Sequence, residues 1–210
     1  MNIVDTQPTI NINIRELKRL LGLPQDYEVE GRIEQLVEWS KSWYAEHGRP
    51  WIYARQVENV KLEGDEVQID GVPLHSKVLH ERFKRAKANS AVLVALGAGP
   101  EVDEEAARHW TEGRPEEYFF LETYSSAVVE YLATAVGAQL CERADNLSMA
   151  VLPPLQPGVS AVGLKRSARF IRPCTFQWSV LNAGKPGTPF LRHAPPEKID
   201  AGGVWTHQAC

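Results

Sequence analysis

The chain has 210 residues, 43% hydrophobic and 24% charged, enough for one large domain, or one domain with an extra arm, to bury an ordinary core without metal or disulfide support. A net charge of −4 and a pI near 5.9 exclude a general nucleic-acid footprint, and no apolar run approaches the roughly 20 residues of a membrane span. Cys141, Cys174 and Cys210 lie far apart without a CxxC pair, which is neither a disulfide framework nor a zinc or iron–sulfur signature. With no basic-then-apolar leader at the N-terminus, the odd cysteine count points to a reducing cytoplasm.

In chain order, residues 1–11 read as an arm or edge strand. Ile14, Leu17, Leu20 and Leu21 form one stripe of a short helix, which Gly22 and Pro24 end. A second helix is expected over 30–46, with Ile33, Leu36, Val37, Ser40 and Tyr44 on one face. Trp51, Tyr53, Val57 and Val60 then change the period to that of strands, with a turn at 63–65. Val67 and Ile69 alternate, and Asp70-Gly71 is the favoured two-residue hairpin turn before Val72 and Leu74. Ser76 caps a helix whose apolar positions are Val78, Leu79, Phe83 and Ala86, with Arg82 adding its stem.

The run from Ser90 to Leu96 is apolar throughout and of strand length, so both of its faces need cover; it reads as the central strand. Gly97-Ala98-Gly99-Pro100 breaks it, and a helix opens with Glu101, Asp103, Glu104 and Glu105 in its first turn, where acids favour the dipole. That helix ends near Gly113. Pro115 opens the longest helix, over 115–143, with the stripe Leu121, Tyr124, Val128, Leu132, Ala135, Val136 and Leu140. Ser125, Ser126 and Ala127 are small residues in its middle, where another backbone or a ligand can come close. Residues 149–152 are strand-like, 153–158 are too rich in Pro and Gly for regular structure, and 168–181 is a further candidate strand. The fold class is therefore α+β, an antiparallel sheet packed by long helices with a helical N-terminal portion. Residues 1–48 form that arm and its helices, 49–181 the core, and 182–210 an irregular tail.

Glycines between a strand and a helix at 97–101 invite a phosphate-binding reading. The full GxGxxG fingerprint is missing and the acidic first turn repels phosphate, so a tight connection is the better account. Lys77, Arg82, Lys84, Arg85 and Lys87 read as the solvated face of one helix. Lys165, Arg166, Arg169 and Arg172, beside the Pro-Gly loop, are either another such face or a site for an anionic ligand or acidic partner surface. The six histidines, His47, His75, His80, His109, His193 and His207, have no HxxxH or HExxH spacing, so no metal is expected, and nothing local supports a Cys–His catalytic pair. Trp39, Trp43, Tyr44, Trp51 and Tyr53 are dense enough for a partner surface, although core is the commoner use. No catalytic residue is identified.

Several segments, taken in order, resemble the activation domain of cobalamin-dependent methionine synthase. Ile69-Asp70-Gly71-Val72-Pro73-Leu74 matches the family's x-D-G-x-x-L turn. Val92 to Asp103 matches a strand ending in x-L-G-P-x-x-D/E, with one extra residue at Ala98-Gly99. Ala127-Val128-Val129-Glu130-Tyr131-Leu132 matches A-x-x-E-Y-L, and Pro154 to Val159 stands where the family has R-x-x-P-G-Y. The resemblance spans about residues 50–172, and its weight lies in the order of the motifs.

That resemblance implies a shallow groove for S-adenosylmethionine, which supplies the methyl group when inactive cobalamin is reductively remethylated with a flavodoxin-type electron donor. The implied ligand-binding set is Glu130, Ser125, Ser126, Pro157, Gly158 and Val159, with Arg166 and Arg169 on the far side of the loop. The family's loop Arg and Tyr are replaced here by Pro154 and Val159, so a bidentate carboxylate grip and an aromatic face are lost from those positions, worth about a hundredfold in affinity. No cobalamin-binding DxHxxG motif is present, so cobalamin is implied only through a partner. The expected role is an accessory or reactivation subunit of a cobalamin-dependent methyltransferase system, with a cobalamin-carrying methyltransferase or corrinoid protein as partner. The alternative is a non-catalytic binding module that keeps the fold and docks such a partner or another small ligand. An independent methyltransferase is disfavoured for want of a GxGxG loop.

Overall fold

In the computed structural model, residues 1–88, 90–152 and 154 are described, together with the backbone of the strand Cys174–Asn182. The element order is β1 (Asn2–Asp5), α1 (Ile14–Leu20), α2 (Gly31–His47), β2 (Trp51–Val57), β3 (Val60–Glu63), β4 (Glu66–Ile69), β5 (Val72–His75), α3 (Lys77–Ala86), β6 (Ser90–Gly97), α4 (Pro100–Thr111), α5 (Pro115–Asn146), β7 (Ala150–Val151) and β8 (Cys174–Asn182). The strands form a five-stranded sheet in the order β1-β2-β6-β8-β7 and a three-stranded sheet β3-β4-β5. Pairing is antiparallel between β1 and β2, between β7 and β8, and throughout the smaller sheet. The fold is α+β, mixed helix and antiparallel sheet.

Two compact units divide the chain, each built from separate stretches of sequence. The first holds Met1–Arg55, Val94–Gly137 and, of β8, Cys174–Phe176. Here β1 is an edge strand, in register with β2 from Asn2↔Arg55 to Asp5↔Ile52. Four-residue spacing puts Leu36, Ser40 and Tyr44 of α2 on one buried face, with Val37 beside them. The predicted stripe of α5 is buried at Leu121, Tyr124, Val128, Leu132 and Val136, whereas Ala135 is half-buried. Between β6 and α4 the sequence demands glycine: Gly99 has φ 108°, and a Cβ on it would lie 2.9 Å from both the backbone N and O of Arg49. The tight-connection reading of this segment therefore has a steric basis.

The second unit holds Gln56–Leu93, the described residues from Ala138 to Pro154, and Gln177–Asn182 of β8. The β4–β5 hairpin turns at Asp70 (φ 51°) and Gly71 (φ 79°), the pair of left-handed residues that a type I′ turn needs, and Ile69 faces Val72 across it. Val57, Val67, Ile69, Leu74, Leu79, Phe83 and Ala91 make one apolar cluster, so the meander and α3 share a core. Ser76 caps α3 as expected, its hydroxyl accepting from the Leu79 amide at 3.2 Å. Lys77, Lys84, Arg85 and Lys87 are exposed, in keeping with a solvated basic face.

Cys141 of α5 is disulfide-bonded. This corrects the expectation drawn from spacing, since covalent pairing between distant positions leaves no local sequence pattern. Among the described residues no helix is long and apolar enough to cross a membrane. The expected irregular tail beyond Asn182 lies outside the described residues.

Candidate functional site

The middle of α5 carries three of the residues singled out from sequence, and the helix sorts them by face. Ser125 is 1% exposed and turns inward with Ala127 and Val128. Ser126 and Glu130, four residues apart, lie on the exposed face together. Both serine hydroxyls donate back to the Glu122 carbonyl at 2.9 Å. Their protons are thus committed to the helix, and what Ser126 still presents outward is acceptor lone pairs. Thr134 does the same, donating to the Glu130 carbonyl at 2.9 Å.

Glu130 does not stand alone. Arg19 of α1 reaches it through Nη2 and also donates from Nε to Glu16 at 2.9 Å, so one guanidinium joins two carboxylates across 111 positions of sequence. Their side chains remain 29% (Arg19), 37% (Glu16) and 45% (Glu130) exposed. The two acids respond oppositely. The hydrogen bond from Arg19 holds the Glu16 carboxyl below its ordinary value, whereas burial, followed by the neighbouring Glu16 carboxyl, pushes Glu130 up. With nearly half of Glu130 in contact with solvent, the energetic weight of that shift is modest.

On the buried side, a pair of tyrosines joins α2 to α5. Tyr44 and Tyr124 have ring centroids 5.4 Å apart, and the Tyr44 hydroxyl donates to the Ala98 carbonyl at 2.6 Å. That bond ties α2 to the β6–α4 connection. Burial, first of all, raises both phenols above their ordinary value.

Ser125, Ser126 and Glu130 are therefore brought onto one stretch of α5, with only Ser126 and Glu130 facing outward. Pro157, Gly158, Val159, Arg166 and Arg169 lie outside the described residues, as does the second basic cluster; Pro154 is half-buried and in no regular element. Sequence reasoning missed Glu16 and Arg19. Their i,i+3 spacing on α1 is a legible local ion pair, but nothing in it announces Glu130. Among the described residues no group of three or more His, Cys, Asp or Glu is arranged to hold a metal ion.

The fold is similar to that of a solved structure, the MetH reactivation domain bound to AdoHcy, with a TM-score of 0.52 over 80% of this chain and 73% of that one. Sequence identity across the match is 11%, so the likeness is one of fold. No family model and no curated protein matches the sequence.

Proposed function

We propose that the chain is an accessory or reactivation component of a cobalamin-dependent methyltransferase system, presenting S-adenosylmethionine for reductive remethylation of cobalamin held by a partner protein. The observation that carries this reading is the fold likeness to a reactivation domain solved with AdoHcy. The exposed Ser126–Glu130 face supports it: a sulfonium ligand with an α-ammonium group is met there by lone pairs and a carboxylate. Pro157, Gly158 and Val159 complete the site through their backbone, and Arg166 or Arg169 takes the ligand's carboxylate in place of the missing loop arginine. The chain's own work is binding and orientation, holding the methyl-bearing sulfur toward the partner's cofactor.

Calorimetry with S-adenosylmethionine and S-adenosylhomocysteine tests the reading. Saturable binding of both is expected, weakened about tenfold or more in Glu130→Gln. Because burial and Glu16 raise the Glu130 carboxyl, a cationic ligand that draws it down binds with proton release, and affinity rises with pH through the titration of that group. No heat at millimolar ligand ends the methyl-donor proposal.

A second reading is favoured by one observation. Glu130 is already engaged by Arg19, so the face can serve as a closed ionic surface in a non-catalytic module that docks a corrinoid or methyltransferase partner. Recovery of such a partner in a pull-down, unaffected by S-adenosylmethionine, distinguishes this version.

A further inference from the structure

Arg19 brings a guanidinium to the outward face of α5, where it lies between two carboxylates on different helices. Its Nε and Nη2 donate to Glu16 Oε1 on α1, and Nη2 also reaches Glu130 Oε2 on α5. All three residues belong to one compact unit. The charges run acid, base, acid, so one guanidinium serves two carboxylates and the row keeps an excess of negative charge. Burial, followed by the Glu16 carboxyl, accordingly pushes Glu130 up, whereas the hydrogen bond from Arg19 holds Glu16 down.

The two halves of the row are not equally held. Glu16 lies one turn from Arg19 on the same helix and receives two of its hydrogen bonds, while Glu130 receives one from another element. Solvent reaches both Arg19 and Glu130, so their contact is the weak link. When it opens, Arg19 stays neutralised by Glu16 and no charge is stranded.

The head group of an α-amino acid fits that opening in one orientation. Its ammonium, with three donors, meets Glu130 and the outward lone pairs of Ser126, one turn earlier on α5. Its carboxylate meets the planar fork of Arg19. Charges then alternate along the whole row, from Glu130 through ammonium, carboxylate and Arg19 to Glu16. Reversed, the head group sets ammonium against guanidinium and carboxylate against Glu130, like charges in both cases.

We infer that Arg19 is a specificity-determining residue of the α5 face, which exchanges Glu130 for the ligand's α-carboxylate and so selects S-adenosyl compounds with an intact amino-acid head group. This role rests on an S-adenosyl compound being the ligand. It adds to that of a loop arginine, because one carboxylate has lone pairs for two guanidinium groups.

Calorimetry on the full chain tests it with three compounds that share the adenosyl thioether: S-adenosylhomocysteine, its decarboxylated form and 5′-methylthioadenosine, which lacks the amino-acid head altogether. Loss of the carboxylate is expected to weaken binding to the wild-type chain about tenfold or more, and loss of the whole head group further. In Arg19→Gln, S-adenosylhomocysteine weakens about tenfold while the decarboxylated compound does not weaken, so the two losses fail to add. A residue that only held α1 in place would weaken all three compounds alike. Arg19→Lys keeps the charge without the fork; it should fall between, and it decides the matter if Arg19→Gln melts early. Equal weakening of the three compounds by either variant, or no penalty for removing the carboxylate in the wild type, overturns the role of Arg19 while leaving the ligand in place. If the wild-type chain binds none of the three, the S-adenosylmethionine proposal fails and the role of Arg19 fails with it.

Discussion

Arg19 of α1 and Glu130 of α5, 111 positions apart, meet in an ion pair that Glu16 shares, and this contact fastens a short helix to the longest one. α1 buries only Leu17, and the pair adds to the packing of that one side chain. Both partners are reached by solvent, and the coupling is accordingly small, about 0.5 kcal/mol. A double-mutant cycle with Arg19→Ala and Glu130→Gln, read by denaturant melts, is expected to return that value at low salt and less at high salt. Coupling that is unchanged by salt would mean that the contact is packing rather than charge.

Gly99→Ala is expected to cost about 3 kcal/mol or more. The residue sits at φ 108°, which side chains rarely adopt, and the new methyl group would press on the Arg49 backbone, which cannot move as a flexible side chain would. Gly71→Ala, at φ 79° with nothing within 4 Å, isolates the conformational part alone and should cost about 1 kcal/mol. Thermal melts of the two variants separate strain from collision.

Local chemistry made much of the fold legible. The Asp70-Gly71 turn, the Ser76 cap, the Pro115 start and the α5 stripe each need only neighbours in sequence to be read. The site was legible only in part. The spacing of Ser126 and Glu130 is helical and visible, but the inward turn of Ser125 and the arrival of Arg19 depend on which elements pack together. His80 and His109 escaped as well, because a histidine that packs as core carries no periodic signal of its own; they are 8% and 1% exposed.

Acid should loosen α4 through Glu105. The hydrogen bonds from Arg108, first of all, hold its carboxyl below the ordinary value. A depressed carboxylate stabilises the fold at pH above its unfolded value, and that stability is lost as pH falls through the lowered folded value. Glu105→Gln should therefore destabilise at neutral pH and have little effect once the wild-type group is protonated. Asp103 has the opposite sign: burial, then Glu122, raises it, so Asp103→Asn should stabilise at neutral pH and become neutral in strong acid. Melting temperatures of the two variants measured from neutral to acidic pH should converge on wild type from opposite sides.

Tyr44 gives the alkaline counterpart. Its hydroxyl donates to the Ala98 carbonyl at 2.6 Å in buried surroundings, and burial raises the phenol well above the ordinary tyrosine value. A raised phenol stabilises the fold fully below the unfolded value near 10, and that contribution disappears as pH climbs toward the folded value. Ultraviolet titration of the native chain should show two phenols, Tyr44 and Tyr124, ionising above the ordinary tyrosine value. Tyr44→Phe should remove one lagging phenol and cost about 1–2 kcal/mol at neutral pH, because the Ala98 carbonyl loses its donor. If Tyr44→Phe left both the lagging amplitude and the melting temperature unchanged, the hydroxyl would have no part in holding α2 to the β6–α4 connection.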